Sequence, residues 1–270
     1  MRRLLIHAGF HKTGTKSVQK MLFKNRQLLA PTTHVLLNKN LNGIDKLARA
    51  YSSEVATADL IELTQRFAEL LEDIPSDDTR DILISSEDLC GLMPGRRDIV
   101  TYDIAPILMK AISHTLEKAL ATPTEVIFYF SMREAQSWLH SCHSHHVRVV
   151  RMTMQPEAYH RAYAESADLP RIIDKVRIAV APHRVETAWL EDFTNAPLGP
   201  LQPIADLLDW PEPLRREIKL LPPANVGIPD ELRHEFLLIN EATEDAEELR
   251  NAKENARRRY RLRQRAKQNS

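Results

Sequence analysis

Short apolar runs alternate with longer segments of helical spacing along this chain. Residues 4–8 (LLIHA) form a short apolar run suited to a central parallel strand, covered on both faces. Val18, Met21, Leu22 and Leu29 then recur at helical intervals, so a helix follows the intervening loop directly. Residues 34–37 read as a second short strand. Leu60, Leu63, Phe67, Leu70, Leu71 and Ile74 stripe one face of a helix. DILISSE, residues 81–87, predicts a buried strand ending in polar residues. Ile107, Leu108, Ala111, Ile112, Leu116 and Ala119 mark a further helix. EVIFYFSMR, residues 125–133, is the strongest strand signal, and a helix starts within EAQSWLHSCHSHH behind it. Residues 147–182 read as mostly helical, 184–188 as a late strand, and 201–208 as a short helix between Pro200 and Pro211. Pro222 and Pro223 punctuate the chain after it.

Strands that alternate with helices predict an α/β protein, with a mainly parallel central sheet flanked by helices in three layers. The pattern assigns residues 1–240 to this α/β domain. Residues 241–270 change character: Glu241, Glu244, Asp245, Glu247 and Glu248 form an acidic patch, and RRRYRLRQRAK (257–267) is strongly basic. This tail reads as a solvated terminal helix, or as a basic arm for an anionic partner. No internal repeat is present.

Composition narrows the class. The 270 residues are 43% hydrophobic and 27% charged, with zero formal net charge, which suits a globular protein and not a whole-molecule polyanion binder. Cys90 and Cys142 alone build neither a disulfide framework nor a paired-cysteine zinc motif, so a reducing compartment is expected. No segment approaches the ~18 apolar residues of a membrane span. The apolar run after Arg2 and Arg3 breaks at Gly9, too short for a signal peptide. The expected location is cytoplasmic.

The chemistry begins at GFHKTGTKS, residues 9–17. A strand, a glycine-containing turn and a helix N-terminus make an anion site, because the first helical N–H groups are unpaired and the dipole end is positive. Gly14 permits close backbone approach, Thr13, Thr15 and Ser17 add hydroxyls, and Lys12 and Lys16 add charge. The stretch nearly fits the Walker A pattern, but Thr15 intrudes before Lys16 and Ser17, which shifts the lysine by one residue.

With Lys12 inside the loop, the stretch resembles the 5′-phosphosulfate loop of sulfotransferases that use 3′-phosphoadenosine 5′-phosphosulfate (PAPS), in their carbohydrate-type and bacterial branch. It departs at Lys16, where that family has a small hydroxyl residue. FYFSMREAQSWLHSCHSHH resembles the family's 3′-phosphate motif, with Arg133 at a strand end and Ser141 eight residues on; the usual proline after the arginine is replaced by Glu134 and Ala135. Residues 183–210 resemble the family's late strand and leucine-rich closing segment.

The resemblance implies a P-loop-like fold and sulfuryl transfer from PAPS to a hydroxyl of a carbohydrate or small metabolite, leaving 3′,5′-adenosine bisphosphate, without a metal. Lys12, Thr13, Gly14, Thr15, Lys16, Ser17, Arg133 and Ser141 would bind the donor. Lys12 would stabilise the leaving phosphate. Glu87, just past the second strong strand, is the candidate base, His11 the competitor, and Asp88 a weaker alternative. A bacterial cytosolic enzyme fits the absence of an anchor. His7 reads as structural. The cluster His140, Cys142, His143, His145 and His146 lacks a second ligand pair for zinc and reads as a helix wall. Trp138 and Trp189 read as core. Two other functions compete: a P-loop kinase using ATP and magnesium through Lys16 and Ser17, and a non-catalytic nucleotide binder.

Overall fold

The computed structural model describes residues 1–120, 122–193, 195–222 and 227–268. Pro223, Asn269 and Ser270, which the sequence reading includes in a chain break and in the charged tail, lie outside the described residues. The strands are β1 (Arg2–His7), β2 (Thr33–Leu37), β3 (Asp81–Ser85), β4 (Thr124–Met132) and β5 (Arg184–Trp189). The helices are α1 (Thr15–Lys24), α2 (Arg26–Leu29), α3 (Ile44–Glu54), α4 (Thr57–Glu72), α5 (Ala105–Ala119), α6 (Ala135–Val149), α7 (Pro156–Ala162), α8 (Leu169–Ala179), α9 (Gln202–Leu207), α10 (Glu212–Glu217), α11 (Asp230–Ala242) and α12 (Ala246–Gln268).

The strands form one sheet of order β2-β3-β1-β4-β5, parallel at every pairing. This is the α/β architecture the alternation predicts, wholly parallel among the described residues. Register explains the near-continuous apolar runs. Leu5 lies level with Leu83 and Ile127, and these side chains share a core with Val18, Met21 and Leu22 of α1, Leu29 of α2 and Ile204 of α9. Leu4 and Ile6 alternate to the opposite face and are equally buried. Helices α3, α4, α5 and α8 pack on one another, burying Leu63, Phe67, Leu108, Ile112, Leu116, Ile172 and Val176.

The chain divides into two compact units, the first built from residues 1–134 and 168–224, the second from 135–167 and the segment from 225 onward. The division does not fall at residue 240, because α12 packs on α11 and not on solvent alone. Leu249, Lys253 and Ala256 of α12 are buried, and Arg259 and Arg263 pair with Glu235 and Glu231 of α11. Part of the basic run is thereby neutralised within its own unit. Within the same unit Asn240 donates to the carbonyls of Val147 and Met152, at 3.2 and 2.7 Å.

Trp138 is buried, as expected. Trp189 is 37% exposed, against the expectation of a core residue. It ends β5, an edge strand with a neighbour on one side only, so tertiary burial is available to half of its surroundings.

Candidate active site

In a parallel sheet every strand delivers its carboxyl end to the same edge. Here that edge collects the loop after β1, the 3-10 turn Glu87–Cys90 after β3, the turn Asn38–Asn40 after β2, and Arg133 after β4. The central position of β1 between β3 and β4 therefore places the glycine-containing loop with Glu87 on one side and Arg133 on the other.

The loop is held from within. Gly9 has φ +47°, and a side chain there would meet Thr15 Oγ1 at 2.6 Å and Ser131 Oγ at 3.1 Å. Thr13 Oγ1 donates to the Phe10 carbonyl at 2.6 Å and lies 2.8 Å from Ser131 Oγ. Thr15 Oγ1 is 3.4 Å from the same carbonyl. Both threonines are buried, and their hydroxyls make hydrogen bonds inside the turn. The Thr13 N–H also donates to the Phe10 carbonyl, at 3.4 Å, so of the two backbone N–H groups that of Thr15 is the one open to an anion. Ser131, one residue before the end of β4, was not singled out from sequence; a polar residue inside so apolar a strand was the available signal.

Gly14 precedes α1 with φ +98°, and α1 carries no side-chain cap and no acid in its first turn. The first backbone bonds run from Ser17 and Val18 to the Gly14 carbonyl, so the Thr15 and Lys16 N–H groups lack intrahelical acceptors. Such an end favours an anion. Lys12 itself sits at φ +69°, a left-handed conformation that a non-glycine residue adopts at a cost of ~1–2 kcal/mol. Strain of this kind concentrates at functional turns. The Arg133 guanidinium reaches across from β4 and donates through Nη1 to the Lys12 carbonyl at 3.2 Å. Glu191 Oε1 lies 3.9 Å from Arg133 Nε and accepts from the Glu134 N–H at 3.2 Å. Lys12 and Arg133, 121 positions apart in sequence, thus meet. Ser141 stands on α6, in the second unit.

The acids after β3 differ in their surroundings. Glu87 is 4% exposed; its Oε2 accepts from Gln19 Nε2 at 2.7 Å, and its Oε1 lies 3.9 Å from Lys16 Nζ. Asp88 is engaged by His11 Nε2 at 3.3 Å and Asn38 Nδ2 at 3.3 Å, with Arg49 Nε at 3.8 Å. Burial would raise the Asp88 pKa, yet the His11 hydrogen bond and the charges of His11, Arg49 and Lys16 hold it below the ordinary carboxylate value.

His11 is engaged at both ring nitrogens. Tyr102 Oη accepts from the His11 N–H at 3.2 Å and lies 3.1 Å from Nδ1. With the hydroxyl proton directed at Nδ1, Nε2 carries the ring proton and donates to Asp88. Neither Tyr102 nor Gln19 was visible as a site residue in sequence, since each acts through a partner far along the chain.

His7 is fully buried, with Nδ1 2.8 Å from Ser85 Oγ, and burial pushes its pKa down to about 3. In the second unit His146 Nδ1 lies 2.9 Å from Tyr159 Oη and His143 Nε2 lies 2.9 Å from the Met154 carbonyl, which is structural work. Among the described residues no group of three or more His, Cys, Asp or Glu side chains is placed to hold a metal ion, and no helix is long and apolar enough to cross a membrane.

No family model matches this chain, and no curated protein matches it. Among solved structures, the chain is similar to a crystal structure of a sulfotransferase from Alicyclobacillus acidocaldarius, at 13% identity, with 90% of this chain and 94% of that chain covered and a TM-score of 0.49.

Proposed function

We infer that the protein is a PAPS-dependent sulfotransferase acting on a hydroxyl of a carbohydrate or other small metabolite. One observation carries the reading. The Arg133 side chain and the strained Lys12 backbone meet at 3.2 Å, so a guanidinium fork and an open helix N-terminus share one anion-receiving rim. A donor with phosphate groups at both ends of its ribose matches two such features.

In this reading the loop N–H groups and Lys12 receive the 5′-phosphosulfate, and Arg133 receives the 3′-phosphate. The acceptor oxygen attacks sulfur in line with the bridging oxygen. A sulfur–acceptor oxygen bond forms as the bond from sulfur to the bridging oxygen breaks. That bond's electron pair stays on the phosphate, and 3′,5′-adenosine bisphosphate leaves. The hydroxyl proton passes to Glu87. Lys12 stabilises the charge that grows on the bridging oxygen, with Lys16 as a second contributor. The hydrogen bonding favours Glu87 over His11 as base. Among the described residues, Glu87 Oε1 faces the Lys16 ammonium at 3.9 Å and accepts no hydrogen bond, whereas both His11 ring nitrogens are engaged by Tyr102 and Asp88.

Calorimetric titration with 3′,5′-adenosine bisphosphate in magnesium-free buffer tests the reading. Binding is expected, weakened about 10–100-fold by Arg133→Ala, as befits a charged hydrogen bond worth ~1.5–3 kcal/mol. Arg133→Lys should not restore it, because an ammonium lacks the planar fork. Lys12→Ala should lower sulfate transfer by about 100-fold or more. Stabilisation by ATP–magnesium but not by the bisphosphate would make the protein a kinase. Bisphosphate binding without turnover on a broad hydroxyl panel would make it a non-catalytic binder.

A further inference from the structure

We propose that the acceptor is itself an anion, carrying a carboxylate or phosphate group beside its reacting hydroxyl, and that it lies in a lysine-lined groove along α1. The word acceptor rests on the sulfotransferase reading; the anion preference of the groove does not.

The groove has a volume of about 470 Å³. Lys16, Lys20 and Lys24 line it from α1 and Lys39 from the turn after β2, while most of the lining surface is apolar, with Phe23, Leu37 and Leu221 among the contributors. The three α1 lysines are spaced i, i+4, i+8, so they form a row along one helix face, rising about 6 Å per step. Among the described residues no ion pair involves Lys20, Lys24 or Lys39, and α1 contains no acidic residue. Some exposed cations elsewhere in this unit find carboxylates, Arg66 with Glu62, Arg80 with Asp78, Lys175 with Asp103 and Arg216 with Glu212, whereas Lys46, Lys110, Lys118 and Lys219 have no ion pair among the described residues; what sets the α1 lysines apart is their even spacing along one helix.

A solvated helix face normally mixes signs, because like charges four residues apart repel and weaken the helix. Three lysines in a row thus oppose helix stability and are relieved by a bound anion. Lys39 Nζ lies 4.5 Å from the centre of the Phe23 ring, which is 42% exposed, so charge and apolar surface occur together in the groove. That pairing suits a small organic anion with some apolar surface.

The groove also leads to the chemistry. Its lining residues Gln19 and Lys16 contact Glu87, and its lining residue Asn38 donates to Asp88. It therefore opens beside β2 and β3, on the opposite side of β1 from β4 and Arg133. Donor and acceptor would approach the loop from opposite sides.

The test is calorimetry on protein saturated with 3′,5′-adenosine bisphosphate. The probes are a glucuronate-containing disaccharide, its neutral methyl ester, and glucose 6-phosphate. At least one anion should bind about tenfold tighter than the ester, and added salt should weaken it. The double variant Lys20→Glu/Lys24→Glu should weaken that anion about tenfold, from exposed ion pairs of up to ~1 kcal/mol each, while bisphosphate affinity stays unchanged. Preference for the disaccharide identifies a uronate acceptor, and preference for glucose 6-phosphate a phosphate ester. Binding of the ester as tight as the acid, an unaltered affinity in the double variant, or no binding of either anion overturns the proposal. Failure of the bisphosphate to bind would instead sink the sulfotransferase reading. The same anion titration on unliganded protein would then still judge the groove.

Discussion

His7 ends β1 directly before the loop, with its ring 4.9 Å from that of Tyr129 and its Nδ1 2.8 Å from Ser85 Oγ. Burial lowers its pKa from 6.5 to about 3. The sign of the consequence follows from linkage. In the unfolded chain an exposed histidine takes up a proton as pH falls through about 6.5, while the native protein refuses it until near pH 3. His7 therefore has no effect on stability above pH 6.5 and opposes folding progressively below it, by ~1.4 kcal/mol per pH unit. Integrated from pH 8 to pH 4.5, the loss is on the order of 3 kcal/mol, a large part of the 5–15 kcal/mol that holds a typical domain.

His143 has a lowered pKa from burial and acts in the same direction, so a bare stability curve mixes the two. Comparison with His7→Asn separates them. Asparagine keeps a polar group for Ser85 but does not titrate. Its packing cost, present at every pH, appears as the gap between the two proteins at pH 8. That gap should shrink by roughly 3 kcal/mol on going to pH 4.5, because only the wild type loses the His7 contribution. Urea denaturation followed by tryptophan fluorescence measures it, with Trp189 and Trp210 in the same unit as His7. Parallel stability curves for the two proteins would refute the claim that His7 is held neutral beneath the loop.

Two further outcomes bear on the loop and the base. Gly14→Ala puts a Cβ 2.9 Å from Leu190 Cδ1 at φ +98°. It should cost ~1–2 kcal/mol, lowering Tm by a few degrees and weakening bisphosphate binding with it; an unchanged Tm would reject the left-handed turn. Glu87→Gln should lower sulfate transfer about 100-fold while keeping bisphosphate affinity, and His11→Asn should lower it far less. The reverse order would transfer the role of base to His11.

The elements were legible because their signals are local. Apolar periodicity in residues 4–8, 81–87 and 125–133 reflects strands buried on both faces, and all three are strands in the central part of the sheet. The 3.6-residue spacing gave α1, α4 and α5 with small differences at their ends. The glycines of residues 9–17 announced a turn ahead of α1 for the same reason, since a turn is encoded by its own residues, and Gly9 and Gly14 do take positive φ there.

Only the tertiary structure decided which distant residues become neighbours. Thr13 and Thr15 point inward because Ser131 arrives on the next strand, and Arg133 reaches the Lys12 carbonyl for the same reason. Lys16, Lys20 and Lys24 were evenly spaced on paper, but they form a groove only once Lys39 and Leu221 fold against α1. By itself the chain's order of residues specified the strands, the helices and the turn between β1 and α1, each a matter of adjacent backbone and side-chain preference. The pairing of β1 with both β3 and β4 is a choice made by burial of the whole sheet, and that choice alone brought Glu87, Lys12 and Arg133 to one edge.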